Sequence, residues 1–171
     1  MSGRTIALCG MDWTSGRDLM NELPEDVEGW FLNEDHLFLK RPLVMGRDRW
    51  FQLHERVAEG HFDTSRGERG AKQHEEFLHF CPVPIYMIRK DPTIPNSIAY
   101  PLDEVVKVLD SAPYFNSAMD YMLALALYEH KLGQVVDEIR VNGISLAFGI
   151  EQLQQKQSFE HWLGMAKGMG V

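Results

Sequence analysis

Residues 5–16 read Thr5-Ile6-Ala7-Leu8-Cys9-Gly10-Met11-Asp12-Trp13-Thr14-Ser15-Gly16. A short β-branched and apolar run ends at a glycine, which is the pattern of a buried strand running into a turn. Residues 15–22 then predict a short helix, with Thr14 or Ser15 as its N-cap. A strand, a glycine turn and a helix form the opening unit of a parallel α/β sheet. Four later runs repeat the strand form. Residues 29–32 stop at Asn33, 49–53 stop at His54, 84–88 form the fourth, and 138–141 stop at Asn142-Gly143. The expected architecture is an α/β fold: a single Rossmann-like domain over 1–171, with a mostly parallel sheet of about five strands and helices on both faces.

Between these runs the helical signals are uneven. Leu102–Leu109 carries apolar residues at 102, 105, 106 and 109, one face of a helix. Residues 116–132 are apolar nearly all round, which predicts a helix buried on most sides and closed by Gly133. A last, more polar helix is expected over 151–167, with Leu153, Phe159, Trp162, Leu163 and Ala166 available for packing. Residues 60–72 are Gly-rich and charged and read as a mobile loop. Pro92, Pro95 and Pro101 forbid a regular helix over 91–101.

Composition narrows the function. The chain has 171 residues, 44% apolar and 25% charged, as a globular protein does. Seventeen Lys and Arg against 25 Asp and Glu give a net charge of −8. That balance argues against an extended nucleic-acid footprint, which needs clustered positive charge. Cys9 and Cys81 form no C-x-x-C and read as reduced core thiols. The N-terminal Met1-Ser2-Gly3-Arg4-Thr5-Ile6 lacks a signal-peptide apolar core, and the run 121–128 is too short to span a bilayer. A cytoplasmic protein is expected, without membrane association.

In an open parallel sheet, ligands bind beyond the carboxyl ends of the strands, where strand order reverses. Residues just after each strand are therefore the candidate site: Gly10, Asp12 and Ser15; Asn33 and Glu34; His54; Asn142 and Gly143. The first loop is neither G-x-G-x-x-G nor G-x-x-x-x-G-K-[ST], which disfavours a standard dinucleotide site and a P-loop. Asn116 and Ser117 open the apolar helix, and a helix start carries partial positive charge and free N–H groups. His54 is the first candidate for acid–base chemistry and His161, beside Trp162, the second. His74 and His79 are spaced i, i+5, so no helical zinc motif is read and no metal is expected. Trp13, Trp30, Trp50, Tyr86, Tyr114 and Trp162 are aromatic enough to stack on a base, or to fill a core.

Four stretches also carry a resemblance: Gly-Trp-Phe-Leu-Asn at 29–33, Asp-Arg-Trp-Phe-Gln-Leu-His at 48–54, Pro-Asn-Ser-Ile-Ala-Tyr-Pro-Leu-Asp-Glu-Val at 95–105, and Tyr-Phe-Asn-Ser-Ala-Met-Asp-Tyr-Met-Leu-Ala-Leu-Ala at 114–126. They resemble a set of small bacteriophage and prophage proteins, over most of the chain. The wider arrangement resembles the Rossmann-like fold of bacterial CMP-sialic-acid-using sialyltransferases and of MptE-like hydroxymethylpterin diphosphokinases. That resemblance implies a nucleotide or nucleotide-sugar held by Gly10, Asn33, Asn116, Ser117 and Gly143, and a small glycosyl- or phosphoryl-transferase in an infected bacterial cell. Two motifs depart from it: the first loop lacks Gly-x-Gly-Pro-Ser, and Asn142-Gly143-Ile144-Ser145 replaces the usual Gly-x-Asp. The missing acid favours a second expectation, a non-catalytic phage protein that sequesters a host nucleotide signal. A virion or assembly interaction protein is the third, and homo-oligomerisation is left open. All nucleotide expectations require the Gly10 turn and the start of the apolar helix to open into one electropositive hollow.

Overall fold

Successive residues of a strand point to opposite faces of a sheet, and the first strand is apolar on both. In the computed structural model, which describes residues 3–57, 60–62, 64, 67–145 and 150–171 and omits the side chains of Trp13 and of residues 150–153, strand β1 is Arg4–Cys9. Its Ile6 and Leu8 enter one apolar cluster and its Ala7 and Cys9 another, all fully buried. Such a strand belongs at the centre of a parallel sheet covered on both sides. Strands β2 (Val27–Leu32), β3 (Arg49–Gln52), β4 (Ile85–Met87), β5 (Ser97–Ala99) and β6 (Val136–Asn142) complete it. The order is β5-β4-β3-β2-β1-β6, and every neighbouring pair is parallel.

The two faces are covered by different means. Helices α2 (Leu102–Leu109), α3 (Ala118–Lys131) and α4 (Ile150–Met169) supply the first cluster, around Trp30, Phe51 and Trp162. Helix α1 (Gly67–Phe80) and the segment carrying Met20 supply the second, around Phe31 and Trp50. Helix α3 lies against β1, β3 and β6 and also between α2 and α4, so its all-round apolar surface is covered on every side. The chain is thus an α/β fold of Rossmann-like type.

Several boundaries differ from the sequence expectation. The sheet has six strands because β5 forms within 91–101, the segment read as a loop. Pro92, Pro95 and Pro101 rule out a helix, but they flank a three-residue edge strand, where proline is tolerated. The charged loop over 60–72 gives way at Gly67 to α1. That helix was hidden because its buried face is Gly70, Ala71, His74 and Leu78, with only one large apolar residue. The helix expected over 15–22 is instead two 3-10 turns, Trp13–Ser15 and Arg17–Asn21, split by Gly16 at φ +88°. Its cap is Asp12, which accepts from the Thr14 N–H, not Thr14 or Ser15.

The polar groups at the amino ends of the strands are joined to each other. Arg4 pairs with Glu28 and, at 2.9 Å, with Glu129 of α3; Arg49 pairs with Glu129 at 2.6 Å. The Arg49 guanidinium also stands 4.5 Å from the Trp30 ring centre. This network ties β1, β2 and β3 to the last turns of α3.

At the carboxyl ends, β1 and β6 are locked by backbone. The Gly10 N–H donates to Asn142 O at 2.9 Å, Asp12 N–H to Gly143 O at 2.8 Å, and Gly143 N–H to Ser15 O at 2.9 Å. A Cβ on Gly143 would stand 2.1 Å from Gly10 O, and one on Gly10 would stand 2.6 Å from Gly143 O. Gly143 also has φ +68°. Gly143→Ala is therefore expected to cost about 2–4 kcal/mol, from clash and left-handed backbone together. A urea unfolding midpoint equal to that of the parent chain would contradict this account.

Candidate functional site

The strand order reverses between β1 and β6: the chain steps outward from β1 to β5 and returns to the other side of β1. A crevice forms beyond the carboxyl ends of the strands at that reversal. It has a volume of about 440 Å³. Gly10, Met11 and Asp12 after β1, Leu32 and Asn33 at the end of β2, Leu53 and His54 after β3, and Gly143, Ile144 and Ser145 after β6 line its floor and sides. Phe115 to Met119 and Tyr121 bring the start of α3 to the same hollow, and Gln155 brings α4. The Gly10 turn and the start of the apolar helix do share one cavity.

Its electrostatics differ from the expected positive hollow. Among the described residues no lysine or arginine lines it. Asp12 stands in it, and hydrogen bonds from Thr14, ahead of any other influence, hold its carboxyl below the usual range. The α3 start is capped from within. Ser117 is the N-cap, and Asp120, fully buried, accepts from the N–H groups of Asn116 and Ser117 at 2.8 Å each and from the Ser158 hydroxyl at 2.7 Å. Burial, ahead of these bonds, raises the Asp120 pKa above the ordinary carboxyl value. The helix start therefore already faces an acidic group of its own. In the first loop, Gly10 and Asp12 give their N–H groups to the β6 turn. Ala118 and Met119, which line the crevice, carry first-turn N–H groups that an α-helix leaves without an intrahelical acceptor.

Two further cavities adjoin this crevice, and His54 borders all three. One, about 420 Å³, lies beyond β3 and β4 and is lined by Arg56, Arg89 and Lys90 together with Glu55 and Asp91. Arg56 is held by Glu75 and by Asp91 at 3.0 Å, whereas Arg89 is 85% exposed and stands 3.6 Å from Glu55. Of the cations at this sheet edge, Arg89 and Lys90 thus lie past His54, while Arg17, beside Gly143, lies 3.9 Å from the Phe38 ring centre and lines none of the three cavities. The other, about 330 Å³, lies beneath Asn33, Glu34, Gln52, Thr64 and His74.

Of the residues singled out from the sequence, Gly10, Asp12, Asn33, His54, Asn116, Ser117 and Gly143 line the main crevice, and Glu34 lines its side chamber. Ser15 and Asn142 build the glycine lock with their carbonyls. His161 lines none of these cavities; it stands 3.2 Å from the Ser111 hydroxyl and packs edge-on to Tyr114 and Trp162. Trp30, Trp50 and Trp162 are fully buried core. Trp13 and Leu153 have side chains outside the described set. Sequence reading missed Phe115, Tyr121, Gln155, Gln52 and His74. Gln52 and His74 carry no motif, and His74 reaches the site only through α1. Among the described residues there is no group of three or more His, Cys, Asp or Glu side chains able to hold a metal. No described helix is long and apolar enough to cross a membrane. Cys9 and Cys81 are buried and unpaired, and burial pushes both thiols up.

With this geometry in hand, comparison with family models, curated proteins and solved structures finds no match to the chain.

Asp35, one residue beyond Glu34, is fully buried and serves the turn. Its Oδ2 accepts from Leu32 N–H at 2.8 Å, while Oδ1 has no partner among the described residues. Burial is the largest influence and pushes its pKa up to about 8. From about pH 4, where an unfolded Asp loses its proton, up to about 8, the folded chain holds a proton that the unfolded chain has released. This group's share of stability is therefore present at low pH and lost as pH rises through that window. Asp35→Asn should gain on the parent steadily from pH 4 to 8 and then level off. Urea titrations at several pH values check this, and a constant difference would refute it.

Proposed function

We propose that this chain binds a mononucleotide-type ligand, a nucleotide or nucleotide-sugar, along the carboxyl edge of its sheet. The meeting of three cavities at His54 carries this proposal. The switch-point crevice offers apolar walls with Asn, Ser and backbone groups, which suit a nucleoside. Beyond His54, Arg89 and Lys90 offer positive charge to the phosphate end. A ligand laid across His54 places its neutral and anionic parts each in matching surroundings.

Two uses of such a site follow. In a transferase, the imidazole of His54 lies at the junction of the two halves, where a general acid or base would act on the linkage. In a sequestering protein the same residues bind and nothing reacts. One observation favours the second: among the described residues no carboxylate holds the His54 imidazole, and its only hydrogen bond in the site is through its backbone oxygen, from Gln52 at 3.3 Å. A catalytic histidine ordinarily has an orienting partner. A role in phage-infected bacteria, including anti-defence sequestration, rests on the resemblance of the 29–33, 48–54, 95–105 and 114–126 stretches.

Thermal shift with a panel of nucleoside monophosphates and nucleotide-sugars, then chromatography of the recovered ligand, tests both. A ligand at a hundred times its Kd adds about 2.7 kcal/mol to stability. Intact recovered ligand supports sequestration. Altered ligand supports the transferase, and His54→Ala should then abolish turnover. The Arg89→Ala, Lys90→Ala double variant should weaken phosphorylated ligands about tenfold and leave the matching nucleosides unchanged. No shift with any member of the panel would sink the proposal.

A further inference from the structure

The side chamber beneath His54 has a polarity that the main crevice lacks. His74 is 1% exposed, and its Nε2 lies 2.8 Å from Gln52 Oε1. The Gln52 amide is oriented, because its Nε2 donates to His54 O at 3.3 Å. Gln52 Oε1 can only accept, so His74 Nε2 carries the proton and His74 Nδ1 carries a lone pair. That Nδ1 is buried and has no partner among the described residues. Burial, the largest influence, pushes the His74 pKa down to about 4, so the ring is neutral near pH 7. Stacking of His36 on the ring at 5.1 Å and edge contact with Phe62 at 5.8 Å hold it in place.

Asn33 supplies a second orphan acceptor. Its Oδ1 is buried without a partner among the described residues, and its backbone is fixed at φ 44° by the turn after β2. Glu34, 8% exposed, lines the same chamber. Buried polar atoms left unpaired cost stability and persist where they serve a ligand or a water. Both orphan atoms here are acceptors, a carboxylate stands with them, and among the described lining residues there is no lysine or arginine.

We propose that this chamber, bounded by Asn33, Glu34, Gln52 and His74, recognises an N–H donor on the ligand. Two sources share that chemistry: the exocyclic amino group of a nucleobase, and the ammonium or amidinium of a small amine. The base form rests on the nucleotide reading above; the amine form does not. An amino group would donate to His74 Nδ1 and Asn33 Oδ1. An oxo group in its place would set a third acceptor against these two and weaken binding at that position.

Calorimetric titration of the full chain at pH 7.5 with paired probes tests this: CMP against UMP, and AMP against IMP. At least one amino member should bind about tenfold more tightly than its oxo partner, as one buried unpaired acceptor predicts. His74→Phe removes one acceptor, and Asn33→Gly removes the other while keeping the left-handed turn. Each should lower the ratio, with the acceptor that is left carrying the remainder. Should either variant fail to fold, the parent ratios decide alone. Equal affinities within both pairs, or a preference for oxo, overturn the chamber's role and leave the nucleotide proposal standing. Should no nucleotide bind, that proposal falls, and benzamidine and free cytosine then decide for the chamber. Binding of either that both variants lose supports it, and binding of neither overturns it.

Discussion

The contact between Gly10 and Gly143 is the constraint on which the site depends. Two backbones cross at a separation that leaves no room for a Cβ on either, and three hydrogen bonds fix the crossing. The crossing decides where the carboxyl ends of β1 and β6 point and how far the first loop can swing. It also engages the N–H groups of Gly10 and Asp12. A loop that in other α/β sheets can cradle a phosphate is here tied by backbone to the β6 turn and forms one wall of the crevice.

The distribution of charge follows a similar division of labour between the two ends of the sheet. At the amino ends, Arg4 and Arg49 are committed to Glu28 and Glu129, which draws β1 to β3 against α3. At the carboxyl ends, the helix start is capped by Ser117 and Asp120, and Arg56, Arg89 and Lys90 stand past β3 and β4. Net charge says nothing of this. A chain at −8 could have gathered its arginines around the cavity. Instead the cations that line a cavity of this edge, Arg56, Arg89 and Lys90, lie on the far side of His54 from the Gly10 turn.

Buried polar atoms shape the interior of the site. Asp35 and Asp120 are carboxyls enclosed with their hydrogen-bond donors, and both serve local turns. His74 and Gln52 form a short relay to the His54 backbone, which couples the floor of the side chamber to the residue at the cavity junction. Their enclosure by α1 makes the chamber part of the second apolar cluster's wall, so its geometry is held by the packing of Leu78, Trp50 and Phe62.

Much of the fold was legible in the chain itself. The unbroken apolar run Ile6, Ala7, Leu8 and Cys9, the glycine or asparagine that closes β1, β2 and β6, and the nearly all-round apolar surface of α3 point to a parallel sheet with covered faces. These signals are local in sequence, and period and turn chemistry carry them. The post-strand residues Gly10, Asn33, His54 and Gly143 were legible as a candidate site for the same reason, since the ends of parallel strands must converge. What lies beyond local signals was not legible. Helix α1 buries Gly70, Ala71 and His74 in place of an apolar stripe, and β5 is three residues among prolines. The Ser158 bond to Asp120, the engagement of the Gly10 and Asp12 donors by the β6 turn and the pairing of His74 with Gln52 join residues distant along the chain. Propensity and spacing cannot encode those; only the packed arrangement of the sheet and its helices decides which donors and acceptors are left over for a ligand.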